Sequence, residues 1–404
     1  MRVSACLCVS VEGAEARDRR VGAGTRSMSC SWNRIMADLH RRSMQLPLIG
    51  ITVIEIFVAA VAHGAVIETV NVGNPNNVSD PTPSTAQECC FGAVPYVYRI
   101  GTLEVTNRQY AEFLNAVDFS GSNELGLYSA FMSTARNGGI SYVEDAADGI
   151  KYQLHPDRAD NPVVYVDWFD ALRFANWLHN GQGAAGTETG AYTLEGHSPV
   201  PSNASSIRRN PDAMWFLPSE NEWYKAAYHQ PAAAGGDDDD YWRYPLRTND
   251  EPYSDEPPGN DAPRPAITAN YRNYDPAANG YNDGYAVPGS TTLPPDNTLS
   301  PVGAYTQSKS YYGTFDQAGN VYEWTDTLSG KFLYVRGGNW RGDAAHLSAP
   351  FRYRAVSTSE FDDLGFRVAT VPEPAVVRLL EFGILATAWL LRTQRRQSGR
   401  YHLR

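Results

Sequence analysis

Cysteine is scarce in this chain and confined to its N-terminal part. Of the 404 residues only five are cysteine, and Cys6, Cys8 and Cys30 precede an apolar segment typical of an export signal. The other two, Cys89 and Cys90, are neighbours in sequence, and adjacent cysteines rarely bond each other. The sequence therefore predicts no disulfide framework, and the lack of a Cys-x-x-Cys pair argues against a zinc site.

Positive charge is also in short supply. The chain has 34 Lys and Arg residues against 45 Asp and Glu residues, and its formal net charge at pH 7 is -11. Binding to nucleic acid would need a basic face, so the composition argues against a nucleic-acid partner. The acidic balance is compatible with binding cations such as calcium, and also with solubility alone.

Long hydrophobic runs are missing from the middle of the chain, and two shorter ones lie near its ends. Residues 38–65 have the order of a signal peptide, with basic residues before the apolar stretch Leu46–Ala62 and small residues after it. We therefore expect translation to start at Met36 or Met44, and residues 1–65 to be an over-long start followed by an export signal. An amphipathic transit segment is the alternative.

In the C-terminal segment, residues 371–404, Val371–Pro374 contains a Pro-Glu-Pro motif, Phe382–Leu391 is apolar, and arginines follow. This order resembles a PEP-CTERM sorting signal. The resemblance implies export, processing at the motif and a membrane contact through this segment, which would place the protein at the cell surface or outside the cell. Arg378 and Glu381 interrupt the apolar run, which is about half of the roughly 20 residues that a membrane span needs. A soluble amphipathic tail is therefore the alternative.

Aromatic and turn-forming residues are abundant in the rest of the chain. The 24 Tyr and 9 Trp residues, with 34 Gly and 26 Pro, favour short elements and loops anchored by aromatic side chains. Residues 66–91 are polar and rich in turn residues, and they predict an extended leader. Regular periodicity is lost between Gln230 and Ser310, where the acidic run Asp237–Asp240 predicts a solvated loop.

Three helices are predicted by capping boxes followed by apolar residues at helical spacing, and they begin at Thr106, Asp167 and Ser219. In each box the cap oxygen and a polar side chain three residues later satisfy backbone N–H groups that the first turn leaves unpaired. Alternation predicts a strand at Tyr96–Leu103, and a short apolar run predicts a buried strand at Val163–Val166.

Six ordered segments together resemble the domain of the formylglycine-generating enzyme, or sulfatase-modifying factor, family: Arg99–Tyr110, Pro162–Ala171, Leu217–Ala227, Gly313–Trp324, Arg336–Trp340 and Gly365–Arg367. Each segment is weak alone, but the ordered set is specific, and it places the domain at residues 92–370. The resemblance implies an α+β fold that is an irregular, loop-rich relative of the C-type lectin fold, with few short helices and strands.

The resemblance implies two calcium sites. The first would use the side chains of Asp316 and Glu323 and the carbonyl oxygens of Gly319 and Val321. Oxygen donors that include two carboxylates suit this hard cation. The alternative is an ordinary turn in which these carboxylates cap backbone groups.

The second implied calcium site would combine the side chains of Asn270 and Asp283 with the carbonyl oxygens of Tyr271 and Tyr285. Either ion would help to hold a loop region in which propensity alone predicts little structure. An ordinary turn is again the alternative.

The cysteine pair with which the family's oxidase binds copper is missing. The segment that corresponds to its Cys-Tyr-Arg-Tyr-Arg-Cys is Pro350–Ala355, which contains no cysteine, and a cuprous ion demands soft thiolates. Copper is therefore not expected, and no catalytic residue is predicted. A related branch holds iron with three histidines on a separate helical domain, for which this chain has neither the histidine spacing nor the length.

Three functions stay open from the sequence. The first is a non-catalytic, calcium-stabilised binding module that displays a peptide-, glycan- or protein-binding surface outside the cytoplasm. The second is an oxidoreductase of the same superfamily with a divergent metal site. The third is a structural component of the envelope or of an exopolysaccharide. The missing cysteines and the export signals favour the first.

Overall fold

The computed structural model describes residues 64–82, 89–277, 279–330 and 332–372. Of the predicted signal peptide, residues 38–65, only residues 64 and 65 are among these residues. Of the predicted sorting segment, residues 371–404, only residues 371 and 372 are among them. Among the described residues, no helix has the length and hydropathy that crossing a membrane requires.

Regular elements are short in the described residues. The strands are β1 (Thr69–Val72), β2 (Tyr98–Gly101), β3 (Ile140–Tyr142), β4 (Tyr152–Leu154), β5 (Trp215–Phe216), β6 (Tyr253–Ser254), β7 (Thr268–Ala269), β8 (Arg272–Tyr274), β9 (Asp283–Tyr285), β10 (Tyr322–Ser329), β11 (Phe332–Arg336), β12 (Tyr353–Val356), β13 (Leu364–Gly365) and β14 (Ala369–Thr370). The α-helices are α1 (Asn107–Val117), α2 (Phe131–Thr134), α3 (Trp168–His179), α4 (Glu220–Tyr228) and α5 (Ala344–Leu347). Turns of 3₁₀-helix cover Pro156–Arg158, Ala232–Ala234 and Pro265–Ile267. The predicted loop-rich α+β fold is confirmed.

Two four-stranded sheets organise the domain. The first sheet has the order β1-β2-β14-β5 with antiparallel neighbours. The second has the order β12-β11-β10-β13, in which only the β10–β13 pair is parallel. Strand β1 comes from the segment that the sequence predicts as an extended leader, so part of that segment belongs to the first sheet.

All three predicted capping boxes are confirmed. The caps Thr106, Asp167 and Ser219 each accept from the backbone three residues later, and the side chain at that position accepts from the cap N–H. Helix α3 is buried along nearly its whole length and packs beside α1 and β5. Aromatic side chains fill this contact, with ring centroids of Phe113 and Trp177 5.4 Å apart.

The strand predicted at Val163–Val166 is wrong. All four residues are buried as expected, but they do not form a strand. Tyr165 has a left-handed φ of 62°, which interrupts the extended backbone that a β-ladder needs. The segment instead bonds to two different partners, Val163 N–H to Val105 and Tyr165 N–H to Phe361.

The expectation that Cys89 and Cys90 do not bond each other is also wrong. The structure joins them in a disulfide between adjacent residues. Cys90 has a left-handed φ of 76°, and this backbone turn lets the two side chains face each other across a single peptide.

Side-chain hydrogen bonds help to order the region from Gln230 to Ser310. Its strands β6 to β9 are only two or three residues long. The Ser254 hydroxyl, for example, donates to the Tyr271 carbonyl at 2.6 Å. Asp238 and Asp239 are exposed, as predicted for a solvated loop.

A buried ion-pair hub fastens α4 to the second sheet. Glu220, in the first turn of α4, accepts from Arg336 Nε at 2.8 Å and from Arg352 Nε at 2.6 Å. Glu220 is 3% exposed and Arg336 is fully buried between the rings of Phe91 and Tyr224. Removing one member of such a hub leaves a buried charge without compensation.

We predict that Glu220→Gln lowers the free energy of unfolding by about 3–5 kcal/mol, because Arg336 keeps its charge in a buried site. Urea unfolding measures the change. The control is Asp160→Asn. Its ion pair with Arg108 is exposed, with 50% of the Arg108 side chain and 66% of the Asp160 side chain accessible, so this change should lower the free energy of unfolding by less than about 1 kcal/mol. Equal urea midpoints for the two variants would contradict the role of burial.

Candidate functional site

A cavity of about 480 Å³ opens at the edge of the second sheet. Strands β10 to β13 form one wall, and the loop after β11, α5 and β8 form the other. Its lining side chains are mixed in character and comprise Arg272, Tyr322, Val335, Asn339, Arg341, Gly342, Asp343, His346, Tyr353, Phe361, Asp363 and Leu364. A cavity of this size can take a small molecule or the side chains of a larger ligand.

Aromatic rings form the apolar part of this cavity. Tyr322 and Tyr353 are nearly parallel, with centroids 5.3 Å apart and an interplanar angle of 13°. Tyr353 and Phe361 are each 46% exposed. Exposed ring faces of this kind are rigid contact surfaces that lose little conformational entropy when a ligand covers them.

Charged groups of both signs form the polar part. Arg341 Nη2 lies 2.8 Å from Asp362 and 2.7 Å from Asp363. Asn339 Nδ2 donates to Asp363, and His346 Nδ1 lies 2.7 Å from Asp343. These pairs link neighbouring side chains around the rim of the cavity.

Burial raises the pKa of the Asp363 carboxyl, and Arg341 opposes that shift. The carboxyl is therefore an acceptor that depends on Arg341 and Asn339 to stay charged. The two partners tie Asp363, next to β13, to the loop after β11.

The first predicted calcium site lies in the core, away from this cavity lining. Glu323 is fully buried and accepts from Arg367 Nε at 2.5 Å, from Arg367 Nη2 at 2.7 Å and from Trp223 Nε1 at 2.7 Å. Asp316 accepts from the Gly303 N–H at 2.5 Å, and burial raises its pKa to about 6.

The predicted carbonyl ligands of the first site, those of Gly319 and Val321, are on buried residues. In the described part of the chain neither carbonyl accepts a hydrogen bond. Gly319 has a φ of 86°, and a Cβ there would lie 2.2 Å from the Asn270 carbonyl. Glycine is therefore required where this backbone passes close to Asn270.

Glu104 joins the same cluster, although it is not among the predicted ligands. Its Oε2 accepts from Asn320 Nδ2 at 2.9 Å, while its buried Oε1 has no hydrogen-bond partner among the described residues. Burial raises the pKa of Glu104 well above its usual range, and the charges of Asp316 and Glu323 raise it further. Arg367 is thus one guanidinium facing three carboxylates.

The charge of this cluster fits a cation. One guanidinium offsets only one of the three carboxylates, so the remainder is neutralised either by protons or by a bound cation. Asn270 Oδ1 is a second buried oxygen without a partner in the described residues. Glu104 and Asn320 both belong to the segments that resemble the family. The sequence alone did not indicate that the Glu104 side chain is buried beside Asp316 and Glu323.

The structure does not bring the four ligands of the second predicted calcium site together. Strands β8 and β9 pair so that Asp283 lies opposite Tyr274, which is four residues after Asn270 in the chain. The Tyr271 carbonyl accepts from Ser254, and the Tyr285 carbonyl from Gly289. Asn270 instead faces the first site, where its Nδ2 donates to Asn320 Oδ1 at 3.0 Å.

A separate acidic cluster lies at the start of α3. One carboxylate oxygen each of Asp167, Asp170 and Glu360 lie within 4.8 Å of one another. Burial raises the pKa of Asp167 to about 7, and burial together with Asp167 raises the pKa of Asp170 well above its usual range. At least one of these buried carboxyls is therefore favoured to hold a proton near neutral pH.

The family of the chain is established by comparison. Residues 93–371 match the profile of the sulfatase-modifying factor enzyme 1-like domain, and the chain belongs to this family. A search of curated proteins found no match.

Solved structures with a similar chain path share about a fifth of their residues with this protein. Treponema denticola variable protein 1 is 20% identical with a TM-score of 0.45, and the match covers 76% of this chain and 97% of that one. CarF is 21% identical with a TM-score of 0.46, covering 76% and 99%. PvdO from Pseudomonas aeruginosa is 17% identical with a TM-score of 0.37, covering 76% and 92%.

The acidic cluster at α3 leads to a pH prediction. Because the folded-state pKa values of Asp167 and Asp170 lie above the usual value of 3.8, the folded protein binds more protons than the unfolded chain between about pH 4 and pH 7. The free energy of unfolding should therefore fall as pH rises through this window. Asp170→Asn keeps an amide oxygen for the cap but removes one titrating carboxyl. The free energy of unfolding of this variant should therefore fall less steeply with pH than that of the parent protein.

Urea unfolding from pH 4.5 to pH 8 tests this prediction. Asp157→Asn, at an exposed position, is the matched control and should decline like the parent protein. If Asp170→Asn lost stability over the window as steeply as the parent, the acidic cluster would not be the cause.

Proposed function

We propose that this protein is an exported, surface-associated, calcium-stabilised binding module without catalytic activity. The observation that carries the proposal is the cavity at the edge of the second sheet, where exposed aromatic faces and ion-paired polar groups converge. Such a combination is typical of a small-molecule or ligand site. Export rests on the two terminal segments, which lie outside the described residues.

The donor groups present support a non-catalytic role. Pro350–Ala355 has no cysteine, and Cys89 and Cys90 are bonded to each other. The Arg352 guanidinium in the corresponding segment is engaged by Glu220 and lies 3.3 Å from the centroid of the Tyr334 ring. While Cys89 and Cys90 are joined in the disulfide, these groups offer no thiolate pair for a cuprous ion.

The buried carboxylate cluster supports calcium as the stabilising ion. Asp316, Glu323 and Glu104 with the Gly319 and Val321 carbonyls are oxygen donors only, as calcium prefers. A bound divalent cation would neutralise the carboxylates that Arg367 leaves without compensation. Asn270 would add the amide oxygen that has no partner among the described residues.

Calcium binding predicts a metal-dependent stability. Protein purified without chelators should carry near-stoichiometric calcium by elemental mass spectrometry, and removal with EDTA should lower Tm. Calcium at a hundred times its Kd would raise the free energy of unfolding of the metal-free protein by about 2.7 kcal/mol. Asp316→Asn should weaken the response to calcium, whereas Asp238→Asn, in an exposed loop, should not.

Absence of calcium from the purified protein, together with a Tm indifferent to EDTA, would contradict the calcium site. Stoichiometric copper or iron would instead support an oxidoreductase. In that case oxygen consumption would be the next measurement.

Ligand binding at the cavity predicts different effects of two tyrosine substitutions on affinity. Glycan arrays and a peptide library would identify a ligand for the full chain. Tyr353→Ala should then weaken its binding at least about tenfold, or about 1.4 kcal/mol, because the exposed ring supplies contact area. Tyr274→Ala removes a ring that is 59% exposed on β8, outside the cavity lining, and should have no effect. Equal affinities of the two variants would place the ligand elsewhere.

A further inference from the structure

Cys89 and Cys90 form a disulfide that can stabilise the fold only slightly. They are adjacent in the chain, and both are exposed. A disulfide stabilises a protein chiefly by closing a loop in the unfolded chain, and the effect grows with the length of that loop. A bond across one peptide closes almost no loop, so a structural purpose does not account for it.

The chain that directly follows this disulfide is held by other contacts. The Asp80 N–H donates to the Phe91 carbonyl at 2.9 Å, and the Gly92 N–H donates to Asn221 Oδ1 at 3.0 Å. The Phe91 ring lies 4.4 Å from the Arg352 guanidinium and 5.9 Å from the Tyr224 ring. The position of the two cysteines at the surface therefore does not depend on the bond between them.

We propose that Cys89 and Cys90 are a reversible redox site that exchanges with small thiols. A thiolate attacks one Sγ, the Cys89–Cys90 S–S bond breaks, and a mixed disulfide forms. A second thiol then releases the first as a small-molecule disulfide. In sum, two small thiols are oxidised to a disulfide. The two electrons and two protons that they lose reduce the Cys89–Cys90 disulfide to two cysteine thiols.

Exposure and backbone conformation both make this disulfide labile. Exposed disulfides are accessible to an attacking thiolate and belong to the labile or regulatory class rather than to the structural one. Cys90 holds a left-handed φ of 76° in the closed ring, a conformation that side chains disfavour.

The reduced site differs from a single surface cysteine in one chemical property. Its two thiols remain one peptide apart while Phe91 and Gly92 stay anchored, so both can bind the same soft atom. A trivalent arsenical such as phenylarsine oxide, which takes two thiolates, is therefore a specific probe of the reduced pair.

The experiment uses the full chain with Cys6, Cys8 and Cys30 replaced by serine. The folded protein is equilibrated in glutathione buffers of increasing reducing power, alkylated and weighed by intact mass spectrometry. We expect both thiols to appear together, to reoxidise on return to oxidised glutathione, and to bind one equivalent of the arsenical. Far-UV circular dichroism should be unchanged throughout, because the fold does not depend on this bond.

The matched control is the further variant Cys90→Ser. It should form a mixed disulfide with glutathione but should not retain the arsenical at equal concentration. The proposal is overturned if the two thiols appear only when denaturant unfolds the protein. It is also overturned if the reduced protein binds the arsenical no better than Cys90→Ser. Neither result depends on the ligand cavity or on calcium.

Discussion

The buried ion pair between Glu323 and Arg367 is the constraint on which the rest of the domain depends. Both side chains are fully buried, and Arg367 also donates to the carbonyls of Gly101 and Phe315. A single guanidinium therefore joins the first sheet at β2 to the second sheet at β10. Two charges taken out of water are tolerated only when their hydrogen-bonding groups are satisfied, and Trp223 supplies a further donor to Glu323.

The same strand connects this core to the candidate ligand site. Successive side chains of a strand point to opposite faces, so Glu323 enters the charged core while Tyr322 lines the cavity. The excess negative charge around Arg367, to which Glu104 and Asp316 contribute, lies on the Glu323 side of β10, opposite the side from which Tyr322 lines the cavity. A cation in the core would thus stabilise the strand that carries the aromatic platform, which links our proposed calcium site to our proposed binding role.

Membership of the sulfatase-modifying factor enzyme 1-like family sets the fold of this chain and leaves its chemistry open. The segment Pro350–Ala355 retains Arg352, but Arg352 is engaged by Glu220 and stacks on Tyr334. That segment therefore serves the packing of β12 against β11 and α4. Cysteine chemistry has a different location in this protein, at the exposed pair Cys89 and Cys90.

The sequence by itself determined what depends on neighbouring residues: the capping boxes at Thr106, Asp167 and Ser219 follow from contacts over three residues. The motifs were enough to predict the loop-rich α+β class, but not the partners of their side chains. Only the tertiary structure paired Glu323 with Arg367 and broke the run at Tyr165 by a left-handed turn. The physical reason is that burial, strand register and charge pairing arise between residues far apart in the chain, and local spacing carries no information about them.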